Sequence, residues 1–226
     1  MTHMERLINV FDIELTGDSA KETVRKIAVN LEEERIYTVG IVTLEMLVQE
    51  KDNDIWKGQL KTMDVLFPGD KEILRAACET DRSLTKESDK KDFAKLLFRY
   101  LQKNKKTVFL LTETEAQLEI FQNHLKKYSQ NLRIVGKGLL GADGINKEKI
   151  INEINGLEPD CILAALSCPW QAKFISENKA LLNTRVWVGL GPQFVQEKPK
   201  RKTAGRIRTY ILKKLFHYQL EKQAEE

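Results

Sequence analysis

Residues 158–191 alternate between apolar runs and a polar, helix-forming segment, and this pattern strongly limits the possible fold. One unbroken apolar run covers residues 161–166, and a second apolar strand is predicted at residues 185–190, where only Arg185 at its start is charged. Runs of this length without polar alternation predict strands that are covered on both faces, as in a parallel sheet. Between the runs, Pro169 fits the first turn of a helix. The stretch therefore predicts a strand–helix–strand unit.

The same stretch predicts where a ligand meets the protein. In open α/β sheets, ligands bind just beyond the carboxyl ends of the strands. The segments that follow the two predicted strands are residues 167–171 and 189–193, and the candidate residues in them are Cys168, Gln171 and Gly191.

The rest of the chain continues this alternation of strands and helices. Strands are predicted at residues 7–13, 37–42, 64–67, 107–111 and 132–135. Helices are predicted after a capping box at residues 19–22, from residue 44, at residues 93–101 and 118–128, and at residues 147–155 with Gly156 as the stop. The Gly-rich residues 136–144 are predicted to form a loop. This order predicts an α/β fold, a Rossmann-like and mostly parallel sheet with helices on both faces, over residues 1–195.

A basic segment follows this core. Residues 198–226 hold nine basic and three acidic residues, a net charge of +6, which leaves −2 for residues 1–197 because the whole chain carries +4. We therefore predict a separate basic helical appendage over residues 196–226.

The residue pattern of the appendage predicts a helix over residues 204–219, with Ile207, Ile211, Leu215 and Tyr218 on one face. One interpretation is a helix that packs on its own core and leaves a basic face in water. Another is an amphipathic helix on an anionic membrane surface, where each basic residue adds about 1 kcal/mol. Nucleic-acid binding is disfavoured, because no stacking platform or known module accompanies the charge.

Composition excludes several other classes of protein. No apolar run reaches the roughly 18 residues that cross a bilayer, and residues 1–14 do not resemble a signal peptide. The three cysteines lack paired spacing, which favours a reducing compartment without disulfides. The three histidines are scattered, so we expect no metal site.

Several motifs resemble those of one family, in the same order. Residues 108–111 resemble a Phe-Leu-Leu-Gly strand, and residues 132–136 resemble a Leu-x-Ile-Val-Gly strand. Residues 160–175 resemble a block that begins Pro-Asp-Ile-Leu, and residues 186–194 resemble Val-Gly-Val-Gly-x-x-Phe-Asp. Residues 42–43 and 64–68 fall where Thr-x-Asn and Ala-Asp-Leu-Val-Leu-Pro-Asp-Gly are found. From about residue 7 to residue 194, the chain resembles the bacterial WecG/TagA/CpsF glycosyltransferases.

The resemblance implies transfer of an N-acetylmannosamine-like hexose from a UDP-sugar to a polyprenyl-diphosphate-linked sugar, in the synthesis of cell-wall or capsule polysaccharide. It implies a cytoplasmic protein on the inner face of the cell membrane. It implies no metal and no cofactor besides the donor substrate, and a basic appendage that contacts the membrane.

Site residues follow from matched motifs. Asp70 is the candidate general base, although it lies one residue later than the family's Asp, and a turn or helix-capping role is the alternative. The candidate substrate-binding residues are Thr43, Glu45, Arg82, Cys168, Gln171, Gly191, Arg206 and Arg208.

Some polar residues of the family are replaced. Glu45 stands where the family has Asn, Ala172 where it has Glu, and Val195 where it has Asp. Two hypotheses therefore stay open: an active glycosyltransferase, or a catalytically degenerate relative that binds or regulates another glycosyltransferase. Homo-oligomers are an open alternative.

Overall fold

The computed structural model describes residues 7–77, 90–141, 146–196 and 202–225. The strands are β1 (Leu7–Val10), β2 (Ile13–Thr16), β3 (Tyr37–Val42), β4 (Val65–Pro68), β5 (Thr107–Thr112), β6 (Arg133–Leu139), β7 (Cys161–Ala164) and β8 (Val186–Gly189). The helices are α1 (Ala20–Asn30), α2 (Leu44–Glu50), α3 (Asp54–Leu60), α4 (Lys71–Ala77), α5 (Lys90–Lys103), α6 (Glu115–Tyr128), α7 (Lys147–Leu157), α8 (Trp170–Asn178) and α9 (Lys202–Glu225).

Six of the strands form one parallel sheet in the order β4-β3-β8-β7-β5-β6. This confirms the predicted Rossmann-like α/β fold. The chain runs from β5 outward to β6, but from β7 in the opposite direction to β8. The strand order therefore reverses between β5 and β7, which is where such sheets form a ligand crevice.

The sheet separates two hydrophobic cores. On β5, Val108 and Leu110 pack with α1, α5 and α6, whereas Phe109 and Leu111 face the other core. That second core includes residues of the β1–β2 hairpin, α2, α3, α7, α8 and α9. Burial on both faces explains why the sheet strands appear in the sequence as apolar runs without polar alternation.

Helix starts follow the local sequence closely. The Ser19 hydroxyl accepts the Glu22 backbone N–H at 3.2 Å, and the Glu22 carboxylate accepts the Ser19 backbone N–H at 2.8 Å. This confirms the predicted capping box, which satisfies two N–H groups that α1 leaves unpaired.

The amino-terminal prediction was wrong in one respect: residues 7–13 are not a single strand. β1 and β2 pair in an antiparallel hairpin. The turn residues Phe11 and Asp12 have φ angles of 52° and 62°. A two-residue hairpin turn needs this left-handed backbone, which is usually supplied by Gly or Asn. With Phe at the first turn position, the sequence carries no turn signal.

Two glycine predictions were also wrong. Residues 136–139 belong to β6 rather than to a loop, and a Cβ at Gly136 would lie 2.6 Å from the Phe109 ring. Gly136 thus makes room for a core aromatic side chain on the neighbouring strand. Helix α7 also continues past Gly156 to Leu157, and it ends at Glu158 with a left-handed φ of 45°.

Helix α9 packs on the sheet domain, but not through the predicted apolar face. Leu212, Phe216 and Leu220 contact the second core, and Phe216 is fully buried. The Phe216 ring packs edge-on against Phe11, with 5.6 Å between the centroids. Lys213 Nζ lies 2.5 Å from a carboxylate oxygen of Glu72. The division of the chain at residue 195 stays a prediction.

The described residues of the predicted apolar face of α9 point away from the core. The exposed large side chains on the described part of this helix are Tyr210, Ile211, Leu215 and Tyr218. The helix therefore has one buried apolar face and one exposed apolar face. Among the described residues, no helix combines the length and apolar character needed to cross a membrane.

Candidate functional site

The carboxyl edge of the sheet gathers many of the predicted site residues. Thr43 follows β3, Asp70 follows β4, Gln171 lies one turn beyond β7, and Gly191 follows β8. Because β4, β3, β8 and β7 are consecutive in the sheet, these residues occupy neighbouring strand ends. This is the edge at which α/β sheets bind ligands.

Asp70 lies against the start of α2. Its Oδ2 accepts the Leu44 backbone N–H at 2.9 Å, and its Oδ1 accepts Lys90 Nζ at 2.8 Å. The neighbouring Thr43 is buried, and its hydroxyl accepts the Met46 backbone N–H at 3.3 Å. Each Asp70 oxygen keeps a second lone pair. The structure thus brings Asp70 and Thr43 together, and in the same arrangement both stabilise the first turn of α2.

The order Pro-Gly-Asp has a steric reason. The Gly69 N–H donates to the Val42 carbonyl at 2.7 Å. A Cβ at Gly69 would lie only 3.1 Å from that oxygen and 2.7 Å from an Ile41 methyl group. Glycine fits this close approach to β3, and the acidic residue follows it.

Gln171 is a predicted site residue whose buried side-chain oxygen lacks a hydrogen-bond partner among the described residues. Its backbone N–H donates to the Ser167 carbonyl at 3.0 Å, which starts α8. The residue is only 2% exposed, yet its Oε1 has no hydrogen-bond partner. A Cβ at Gly189 would lie 2.6 Å from the amide carbon of Gln171, so this glycine leaves the room that the amide occupies. Buried amide oxygens are normally hydrogen-bonded.

Gly191 and Cys168 lie beside this position. Gly191 has a φ of 80°, and it turns the chain from β8 into a short 3₁₀ helix, Pro192–Phe194. Cys168 is half-buried against the second core, and burial raises the pKa of its thiol to about 12. Desolvation therefore has a larger effect on this thiol than its position beside a helix start.

A pair that sequence analysis missed lies where the strand order reverses. Glu113 follows β5, and its Oε1 accepts the backbone N–H and the hydroxyl of Ser167, at 2.6 Å and 2.5 Å. The signal was present in the sequence, since Glu113 follows directly after a predicted strand in the same way that Asp70 does.

The other candidates are less well placed by the structure. Glu45 lies in the first turn of α2 and is half-buried. Arg82 lies outside the described residues. Arg206 and Arg208 belong to the first turns of α9, but their side chains also lie outside the described part. Across the described ranges, no group of three or more His, Cys, Asp or Glu side chains is placed to hold a metal ion.

A polar groove of about 650 Å³ lies at the opposite edge of the sheet, beside the hairpin and the start of β4. Its most buried acid, Asp64, is already paired with Thr38 and Lys179. We place the candidate site at the carboxyl edge because the polar groups there still have unused hydrogen-bonding capacity.

Comparison with known protein families identifies the class of the protein. A model of the glycosyl transferase WecG/TagA/CpsF family matches residues 8–207 of the 226. The chain belongs to this family. Membership implies a glycosyltransferase of cell-wall polysaccharide synthesis, with a sugar donor and a lipid-linked acceptor. No curated protein gives a significant match.

Proposed function

We propose that this protein transfers a hexose, of the N-acetylmannosamine type, from a UDP-sugar to a polyprenyl-diphosphate-linked sugar. The reaction takes place at the carboxyl edge of the sheet, between the ends of β4 and β7. The observation that carries the proposal is the buried amide of Gln171. Its unpaired Oε1 is an acceptor that an N–H or O–H group of a donor sugar nucleotide would satisfy.

Asp70 takes the part of the general base in this proposal. Removal of a proton from the acceptor hydroxyl requires a carboxylate within hydrogen-bond reach of it. The contacts with Leu44 and Lys90 hold the Asp70 carboxylate in one orientation at the strand ends. Thr43 and Gln171, at nearby strand ends, contact the substrates.

Calorimetry with UDP and a UDP-N-acetylhexosamine tests the donor site. We expect saturable binding to the wild-type protein and at least tenfold weaker binding to Gln171→Ala. Asn155→Ala is the matched control, because it removes an amide that bonds Leu181 on the exposed surface of the protein. Absence of binding at millimolar ligand would contradict the proposal.

A transfer assay with a lipid-linked acceptor tests the base. We expect Asp70→Asn to lower kcat by about 10²- to 10⁴-fold with little change in donor affinity. Asp54→Asn, in the first turn of α3, is the control for loss of one acidic charge beside a helix start.

The second candidate function is a non-catalytic partner of another glycosyltransferase. It is favoured by the ion pair in which Lys90 holds Asp70, together with Ala172 where the family has an acid. The two candidates differ in one outcome. Donor binding without transfer, in protein that supports transfer when its partner is added, would favour this second function.

The site is proposed to work at an anionic membrane surface, which the exposed face of α9 contacts. Ile211, Leu215 and Tyr218 are exposed at helical spacing, and Lys214 lies among them. Residues 198–214 include eight basic and no acidic residues, which complements an anionic surface. We therefore expect the exposed apolar side chains of α9 to insert into the membrane surface, with the basic residues attracted to its anionic lipids.

Vesicle flotation tests this contact without removing Phe216 from the core. We expect the protein to float with vesicles that contain phosphatidylglycerol, and less so as salt rises. The double variant Ile211→Ser/Leu215→Ser should lose most of this binding, whereas Val29→Ser, at an exposed valine on α1, should keep it. Unchanged flotation of the double variant would contradict the membrane contact and would point to a protein partner for this face instead.

A further inference from the structure

Glu113 holds a carboxylate at the point where the strand order of the sheet reverses. β5 leads outward to β6, and β7 leads in the other direction to β8, so the ends of β5 and β7 border the crevice between the two halves. Glu113 follows β5 and Ser167 follows β7, and the two side chains meet across this crevice.

The two carboxylate oxygens of Glu113 have different surroundings. Oε1 accepts two short hydrogen bonds from Ser167. Among the described residues, Oε2 has only a contact of 3.4 Å from Gln117 Nε2, near the limit of a hydrogen bond. The residue is half-buried. One oxygen therefore fixes the orientation of the group, and the other keeps the capacity to accept a stronger hydrogen bond.

This contact is not needed to join the two strands. β5 and β7 already pair along their length, and the ladder continues to the Ala165 N–H, which donates to the Leu111 carbonyl at 2.9 Å. Because Glu113 lies beyond the end of a complete hydrogen-bond ladder, its carboxylate is free to serve ligand binding as well as the stability of the sheet.

The charge of Glu113 decides which part of a sugar nucleotide it can bind. A carboxylate repels a phosphate group at contact distance, since the two carry like charges. It accepts hydrogen bonds from hydroxyl groups, and it does so more strongly than a neutral acceptor. An acid at a strand end in a Rossmann-like sheet is suited to a ribose hydroxyl for this reason.

We infer that Glu113, oriented by Ser167, binds a hydroxyl group on a sugar ring of the donor. This inference rests on the proposed function, because it needs a sugar nucleotide at the carboxyl edge. The hydroxyl belongs either to the ribose or to the transferred hexose. Both have the same chemistry, and the phosphates lie away from Glu113.

Calorimetry with UDP, 2′-deoxy-UDP and a UDP-N-acetylhexosamine tests the inference on wild-type protein and Glu113→Gln. If Glu113 binds the ribose, the wild-type protein prefers UDP over 2′-deoxy-UDP by about tenfold or more, and Glu113→Gln loses this preference. If Glu113 binds the hexose, the wild-type protein prefers the UDP-N-acetylhexosamine over UDP, and Glu113→Gln loses that preference instead.

These ratios separate recognition from a structural role. A change that only disturbs the edge weakens all three ligands equally and leaves both preferences intact. Glu115→Gln, in the exposed first turn of α6, controls for loss of charge and should behave as wild type. Equal preferences in the wild type and Glu113→Gln would overturn the inference and leave the proposed function standing. Absence of any UDP or UDP-sugar binding to the wild type would overturn both.

Discussion

At the amino edge of the sheet, Asp64 accepts the N–H and hydroxyl of Thr38 at 2.8 Å and 2.6 Å. Asp160 accepts the same two groups of Thr107 at 2.6 Å and 2.7 Å. In both pairs the threonine hydroxyl also accepts the acid's own backbone N–H. The carboxyl edge has a similar motif between Glu113 and Ser167, but without that return bond among the described contacts.

The two edges use their polar groups differently. At the amino edge, Lys179 also contacts Asp64, so the carboxylate is well satisfied inside the protein. At the carboxyl edge, Gln171 Oε1 is buried without a partner, and Glu113 Oε2 has one long contact within the part of the chain that the structure describes. Paired groups contribute to stability, whereas groups with unused capacity contribute to ligand binding at some expense of stability.

The largest effect should come from Asp64→Ala. This change removes the carboxylate that Lys179 and Thr38 share, and breaking a partly buried pair is costly because the Lys179 charge stays uncompensated. We expect the free energy of unfolding to fall by about 2–3 kcal/mol, measured by urea denaturation. Donor binding should be unchanged in the folded variant. A loss below 0.5 kcal/mol would show that the amino edge is not a stabilising element.

Gly189→Ala should have the next largest effect. The new methyl group would lie 2.6 Å from the Gln171 amide and must displace it. We expect a loss of about 1–3 kcal/mol and weaker donor binding together. Gly58→Ala is the control: nothing lies within 4 Å of its new methyl group, and in the interior of α3 the change should stabilise by about 0.5–1 kcal/mol.

Low pH should reduce the stability that Asp64 contributes at the amino edge of the sheet. Burial alone would raise the pKa of Asp64, but the hydrogen bonds from Lys179 and Thr38 outweigh it and hold the pKa below the ordinary value. A lowered folded-state pKa gives stability that is complete above the unfolded-state pKa and disappears as pH falls through the folded-state value. In urea titrations from pH 7 towards pH 3, the wild type should therefore lose stability faster than Asp64→Asn. Parallel curves would contradict this.

The smallest effect on stability is expected for Gln171→Leu. The change keeps the volume similar and removes a buried oxygen that has no partner, so the free energy of unfolding should change by less than about 1 kcal/mol or rise. Donor binding should nevertheless weaken by tenfold or more. Gln171→Leu should thus weaken donor binding without lowering stability, whereas Asp64→Ala should lower stability without weakening donor binding. A large loss of stability would mean that the amide has a structural role.

Much of this architecture was predictable from sequence, because the sheet strands are buried on both faces and the helices carry local start signals. The run at residues 161–166 and the Ser19 capping box are examples. The positions of Thr43, Asp70 and Gln171 at one edge followed from the strand order. The position of Glu113 after a strand was visible in the sequence, but its contact with Ser167 depends on β7 lying next to β5, a neighbour relation that the sequence does not encode locally.

Other features depended on packing that no local pattern shows. β6 continues through Gly136 because the Phe109 ring fills the space beside it. Helix α9 has apolar residues on two faces, and periodicity alone does not say which face meets the core. The face that contains Phe216 packs on the core, because the Phe11 side chain on the hairpin turn contacts the Phe216 ring there.

The contact between Phe11 and Phe216 also has a kinetic consequence. It closes a loop that spans most of the chain, from the hairpin turn at residue 11 to the carboxyl-terminal helix at residue 216. Contacts of such long range carry a larger closure entropy and form late in folding. Substitutions at Phe216 should therefore accelerate unfolding more than they slow folding, and release of α9 should be an early step in unfolding.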